Sequence, residues 1–337
     1  MSFKRLDQGD IVISSDAVTA PCWSGNVVNL TSFFTSSDQI AADEQYYFNI
    51  YQTSSALTNA AVQFSIAYGD VDGKGTQLFN STVAGNSPSS TIYKQYRTLV
   101  NGTEESNLSF GGVTSNYVYV LAVERSRFKE KIFPGSLTLA LSGSGRTIKL
   151  TDNSEYVTTE TFGDLGREYE IISGSAGVRN SSLNANGYTQ NSGSYGKFLP
   201  DAGLILLSGL ALDQPVVNGG LALNTGRNVN TFDNNINKLL NAMIGGGSFT
   251  LRSEETVSSN YIFVRARNSE FNYSTNPSNI TGSGELRHDV MVDNPQAYLT
   301  AVGLYNDNND LLAVAKLSRP LIKDFTKESL VRIKLDY

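Results

Sequence analysis

Side chains able to do chemistry are few in this 337-residue sequence and poorly placed for it. The one histidine, His288, lies in the polar stretch Glu285-Leu286-Arg287-His288-Asp289, and the one cysteine, Cys22, stands beside Trp23. A histidine-rich metal site and an obvious Cys–His pair are thereby excluded, because each needs partners the chain lacks. Cys22 is read as a small core thiol and His288 as a satisfied or exposed side chain. Gly69 to Gly75 (Gly-Asp-Val-Asp-Gly-Lys-Gly) has the outline of a calcium loop, with Asp70 and Asp72 at the first two ligand positions and Gly75 at the turn. Lys74 occupies a place that needs oxygen, however, and Ser81 stands where a bidentate glutamate belongs. The segment is read as a turn between strands.

Two adjacent acid pairs, Glu104-Glu105 and Glu254-Glu255, would point to opposite faces of a strand and so cannot converge. A carboxylate pair assembled from distant parts of the chain is the one open route to a glycan-cleaving enzyme. Phosphate-binding glycine loops are absent. Arg125, Arg127, Lys129 and Lys131 alternate, so on a strand they would share one face, either solvated or set against an acidic partner. No catalytic, cofactor-binding or metal-binding residue is assigned, and the chain is read as a non-enzyme.

The elements that would have to carry any site are mostly strands. Charged residues make up only 17% while Tyr (17) and Phe (16) are abundant, and Ser, Thr, Asn and Gly fill the deficit. Rings and β-branched side chains suit a pleated, half-buried surface, and Asn, Gly and Ser supply turns. Strands are expected near Gln45–Tyr51, Ala60–Tyr68, Tyr117–Val123, Ser136–Leu141, Thr147–Leu150, Tyr169–Ile172 and Gly203–Leu207. Further strands follow at Ser248–Leu251, Tyr261–Arg265, Tyr298–Tyr305, Leu311–Leu317 and Leu330–Leu335, the hairpin between Tyr305 and Leu311 turning on Asn306–Asp310. Helical spacing of apolar residues predicts two amphipathic helices, Pro88–Val100 and Thr231–Ile244, the second capped by Asn230 or Thr231. The fold class is therefore mainly β with two helices, in β-sandwich-like domains. The expected division is residues 1–175, a β-rich domain with one helix; 176–230, an Asn/Gly/Ser-rich connection with a short strand; and 231–337, a β-rich domain opened by a helix.

The net charge of −6 argues against nucleic acid, which needs a basic footprint. No window has the length of apolar sequence that a membrane helix needs, and no secretion signal is read at the N-terminus. Low charge also suits a surface covered by neighbours.

Three groups of segments carry a resemblance. They are Phe3-Lys4-Arg5 with Gly9-Asp10-Ile11-Val12 and the later Leu30–Ser37; Ile92–Arg97 with Val120–Arg125 and Lys129–Gly135; and Phe271–Pro277 with Val302–Asp307 and Leu311–Leu317. In these the chain resembles virion structural proteins of contractile-tailed phages, of the myovirus and cyanophage type. The resemblance implies a structural tail protein, most simply of the baseplate, made in the host bacterial cytoplasm and assembled into the virion. Its expected partners are other virion proteins and copies of itself. The alternative is a head- or tail-surface fibre or decoration protein that binds host glycans, with the Tyr-rich loop Tyr188–Tyr195 as the recognition surface.

Overall fold

The alternation of apolar and polar residues along most segments produces a chain that is mainly antiparallel β, as expected. The computed structural model describes residues 8–37, 47–76, 87–180, 182, 184–227 and 235–337. Strands β1 (Ile11–Pro21), β2 (Asn29–Leu30), β3 (Tyr47–Tyr51) and β4 (Val62–Asp70) precede helix α1 (Pro88–Asn101). A small ribbon, β5 (Ser109–Phe110) and β6 (Val113–Thr114), leads to β7 (Tyr117–Val123), β8 (Lys131–Ile132), β9 (Thr138–Gly143) and β10 (Arg146–Asp152). Then come β11 (Thr161–Gly163), β12 (Gly166–Ser175), β13 (Val178–Arg179), β14 (Gly196–Leu199) and β15 (Leu204–Ser208). The short helix α2 (Gly209–Asp213), helix α3 (Asn235–Gly246), β16 (Phe249–Thr250) and β17 (Arg252–Ala266) follow. A one-turn helix α4 (Val290–Asp293), β18 (Ala297–Tyr305), β19 (Leu311–Lys323) and β20 (Ser329–Asp336) close the chain.

Both predicted helices form. α1 begins on Pro88, whose missing N–H costs nothing in a first turn, and ends at Gly102, whose N–H donates to the Thr98 carbonyl from a left-handed φ of 67°. α3 is described from Asn235 onward, and the expected caps Asn230 and Thr231, with Phe232, lie outside the described residues.

The chain divides into two compact units, residues 18–255 and residues 1–17 with 256–337. The joints therefore fall at 17/18 and 255/256 rather than at 175/176 and 230/231. The reason lies in strand order. The Asn- and Gly-rich region supplies β14 and β15, which sit in the middle of the main sheet between β12 and β7. What reads as a connection is interior framework.

In the larger unit the sheet runs β2-β16-β9-β10-β12-β14-β15-β7-β4-β3. It folds over on itself in a sandwich-like way. Phe64 on β4 and Phe249 on β16, from opposite ends of that order, meet edge to face with ring centroids 5.0 Å apart. Trp23 lies against both, at 5.9 and 4.9 Å, and its indole N–H donates to the Phe249 carbonyl at 2.9 Å. Four residues beyond β2, at one end of the sheet, Phe34 exchanges backbone hydrogen bonds with Tyr51 of β3 at the other. β7 is covered on both faces. Tyr119 and Leu121 join the aromatic core with Leu239, Leu240 and Met243 of α3, while Val118 and Val120 join Tyr93 and Val100 of α1. Two glycines let the helices approach neighbouring strands, α1 against β4 and α3 against β9. A Cβ on Gly69 would lie 2.9 Å from the Tyr93 nitrogen, and one on Gly246 would lie 2.0 Å from the Ala140 carbonyl oxygen.

The smaller unit is built differently. β17 lies between β1 and β20, with Ser259–Ala266 paired to Ser329–Asp336. The start of β17 belongs to the larger unit, where Ser253 and Glu254 pair with Ile132 and Lys131 of β8. The predicted hairpin is β18 and β19, a separate two-stranded sheet. Its Val302, Leu304, Ala315 and Leu317 pack on Ile262, Val331 and Ile333.

If sheet closure depends on the aromatic contact, Phe64→Ala should cost about 3–5 kcal/mol, the usual price of emptying a buried ring site. Urea unfolding followed by Trp23 fluorescence measures it, and a loss under 1 kcal/mol would contradict the assigned role.

Candidate functional site

Two of the polar clusters in the larger unit contain the residue types of a functional site. The first is the loop that resembles a calcium site. Asp70 is fully buried, and its Oδ1 accepts the backbone N–H groups of Asp72 (2.9 Å) and Lys74 (3.1 Å). Its Oδ2 accepts Arg227 Nε, and Arg227 Nη2 reaches Asp72 Oδ2 at 3.3 Å. The guanidinium also lies 5.3 Å from the Tyr117 ring centroid. A protein cation thus takes the carboxylates that would ligate a metal. Ser81, at the twelfth position of the loop, lies outside the described residues.

The clamp is itself held. Tyr117 Oη donates to Asp213 Oδ2 at 2.8 Å, and Asp213 Oδ1 accepts both the N–H and the hydroxyl of Thr225 at 2.8 Å. Asn235, at the described start of α3, donates to the carbonyls of Gly75 (3.0 Å) and Gly226 (2.7 Å) and accepts the Gly226 N–H. Burial, then the charge of Asp213, holds the Tyr117 phenol well above its ordinary range, so it stays a donor. Arg227 is 157 positions from Asp70, and no local signal announces the pairing.

The second place is an open cleft of about 260 Å³ lined by Glu155, Glu160, Arg167, Tyr169 and Glu254. It is a grouping of distant carboxylates of the kind an enzyme reading would need. Tyr169 Oη donates to Glu160 Oε1 at 2.8 Å, however, and Glu254 sits 3.4 Å from Arg167 Nη2 and 3.9 Å from Lys131 Nζ. Arg167 also binds Asp201 Oδ1 at 2.8 Å. Burial pushes the Asp201 carboxyl up, but the hydrogen bonds and charge of Arg167 outweigh it and hold the group below the usual carboxylate range. Glu160 and Glu254 are thus engaged as acceptors. The arrangement reads as an ion-pair network around β17 and β12.

Other residues singled out in the sequence go elsewhere. Cys22 is buried, and burial pushes its thiol up to about 12 against a smaller opposing effect of Arg127, as an inert core thiol should be. His288 is exposed ahead of α4. Glu254 is buried and Glu255 exposed, on opposite faces as expected.

Arg125 to Lys131 do not form one cationic face, because Arg125–Arg127 is a single 3-10 turn and only Lys131 enters a strand. Arg125 donates to the carbonyls of Phe128 and Lys129, Arg127 to Ser24 and Ser126, and Lys129 lies 3.9 Å from Glu255. The Tyr188–Tyr195 loop does not display two rings to solvent. Tyr195 is fully buried and donates to the Gly219 carbonyl at 2.6 Å. In the smaller unit Asn306 Oδ1 accepts the N–H groups of Asn308 and Asp310, so the oxygens of that hairpin tip hold their own turn. Lys323 is fully buried, and its ammonium donates to Asn272 Oδ1 (2.7 Å) and to the carbonyls of Asp324 (2.9 Å) and Asn268 (3.1 Å).

Among the described residues no group of three or more His, Cys, Asp or Glu could hold a metal ion, and no helix is long and apolar enough to cross a membrane. Comparison with protein-family models, with curated proteins and with solved structures finds no match.

Two outcomes test these assignments. Arg227→Met alone should destabilise the fold by about 3–5 kcal/mol by leaving Asp70 buried and unpaired, whereas Asp70→Asn with Arg227→Met should recover at least half of that. Urea denaturation of the cycle decides it. For Asp201 the folded pKa is depressed, so its stabilisation is present above the unfolded value of about 3.9 and is lost as pH falls through the folded one. The stability gap between wild type and Asp201→Asn should therefore hold at neutral pH and close below about pH 4. A gap independent of pH would exclude the ion pair as its source.

Proposed function

We propose that this chain is a structural component of a tailed-phage virion, in the tail baseplate, and that it works by packing against other protein chains. One observation carries the packing role: the smaller unit leaves its apolar residues uncovered. Among the described residues it holds 17 of the 30 exposed large hydrophobic side chains but only four of the 50 buried hydrophobic ones, Ile262, Ala266, Val331 and Ile333. On the hairpin, Tyr298 is 62% exposed, Leu312 68% and Val314 61%. Exposed apolar surface on this scale marks interaction sites, because a free monomer gains nothing from displaying it.

The virion assignment is supported by the resemblance of the terminal and central segments to tail proteins. The β18–β19 hairpin and β20 would then be docking surfaces. Copies of the chain and other virion proteins are the partners that fit, with burial of the exposed rings and aliphatic side chains as the driving force.

Mass spectrometry of purified particles tests the location, and absence of the chain from them would overturn the proposal. Val314→Asp tests the mechanism. The side chain is exposed, so the isolated protein should keep its stability within about 0.5 kcal/mol, while incorporation into particles should fall at least tenfold. Normal incorporation would remove the hairpin from the interface.

A further inference from the structure

The main sheet of the larger unit is split at one point. β10 pairs with β9 from Arg146↔Gly143 to Leu150↔Leu139, but it meets β12 only over Leu150–Asp152. Beyond Ser173, β12 leaves β10 and pairs with β13 instead, Gly174 with Arg179 and Ser175 with Val178. The resulting groove has a volume of about 580 Å³.

The β9–β10 turn decides which backbone groups face it. Ser144 and Gly145 have φ of 47° and 76°, the two-residue turn whose flanking residues, Gly143 and Arg146, form a hydrogen-bonded pair. Arg146, Ile148 and Leu150 therefore bond to β9. Thr147 turns its N–H and C=O the other way, into the groove, and Lys149 its N–H, while the Lys149 C=O faces the Gly174 N–H next to the Leu150↔Ser173 pair. A strand edge in this state is a template for another strand.

The side chains add a sign to the site. Arg146, Lys149 and Arg179 line the groove with Thr147, Ser175 and Asn180, and no carboxylate is among the lining residues. Arg179 is stacked 4.6 Å from the Tyr156 ring centroid, and its backbone N–H donates to Tyr156 Oη at 2.8 Å, which fixes that wall. Arg146 donates to the Val216 carbonyl, and Lys149 is exposed. In a chain of net charge −6, three cations lining a groove that no carboxylate lines make a local attractor for anions.

We infer that this groove binds an extended acidic segment of another protein chain. The segment pairs as an added strand along Thr147–Lys149 and sets its carboxylates against Lys149 and Arg179. An anionic polysaccharide would match the charge but has no amide ladder to offer the open edge, so the backbone geometry favours peptide. The site belongs to the larger unit and does not rest on the virion reading or on the hairpin surface.

The test uses the full chain, isotopically labelled, and the capped peptide Thr-Glu-Val-Glu-Val-Thr. Saturable shifts of the Thr147 and Lys149 amide signals are expected. Binding should weaken at least fivefold between about 0.05 and 0.5 M salt, where the screening length falls several-fold. Lys149→Glu, a change at an exposed side chain, should weaken it at least tenfold. The same peptide with alternate amides N-methylated keeps its charge and should not bind. Unmoved amides at 147–149 would overturn the inference. So would equal binding by the N-methylated peptide or by oligogalacturonate, either of which would make the groove a simple anion site.

Discussion

The contact among Trp23, Phe64 and Phe249 is the constraint on which the larger unit depends. A sheet with strands this numerous has two faces to bury and two edges to protect. Bringing β4 and β16 together through three rings folds the sheet so that its first and last strands approach, and the Phe34–Tyr51 bridge carries the chain from one end to the other. The inner face then forms one core, into which α3 fits. The outer face at β4, β7 and β15 is covered separately by α1. Helix placement thus follows from closure, and the glycines at 69 and 246 mark where helix and strand backbones had to come close.

Closure also explains the fate of the charged residues. Once the sheet is folded, the loop after β4 and the end of β17 lie in surroundings that tolerate charge only in pairs. Asp70 is met by Arg227, and Glu254 and Asp201 are met by Arg167. Both groupings have the residue types of a functional site, a metal loop in one case and a carboxylate pair in the other. The partners of Asp70, Glu160, Glu254 and Asp201 are cations and a phenol from the chain itself. They rigidify the fold, and the charges are consumed in doing so.

The smaller unit stands in contrast. Its buried apolar cluster holds only Ile262, Val331 and Ile333 among the described residues, and Lys323 with its three oxygen acceptors supplies a polar clip where a larger domain would place apolar side chains. Stability there is drawn largely from strand pairing. A unit of this kind gains far more from association than one whose apolar side chains are already inside.

The sequence alone determined local character. Strand-type residues bounded by turn residues marked β3, β4, β7, β9 and β18 to β20, though not the short β13 or β14; helical spacing marked α1 and α3, and the Asn306–Asp310 turn marked the last hairpin, because each signal is carried by neighbours within a few positions. The inertness of Cys22 and the divergence of Glu254 from Glu255 were legible for the same reason. Tertiary structure decided everything that joins distant positions. It placed the Asn- and Gly-rich region at the centre of the sheet, drew the unit boundaries at 17/18 and 255/256, buried Tyr195, and supplied Arg227 to Asp70 across 157 positions. Strand order and ion-pair partnership depend on which segments meet after folding, and a pattern with a period of two or of 3.6 residues holds no information about that.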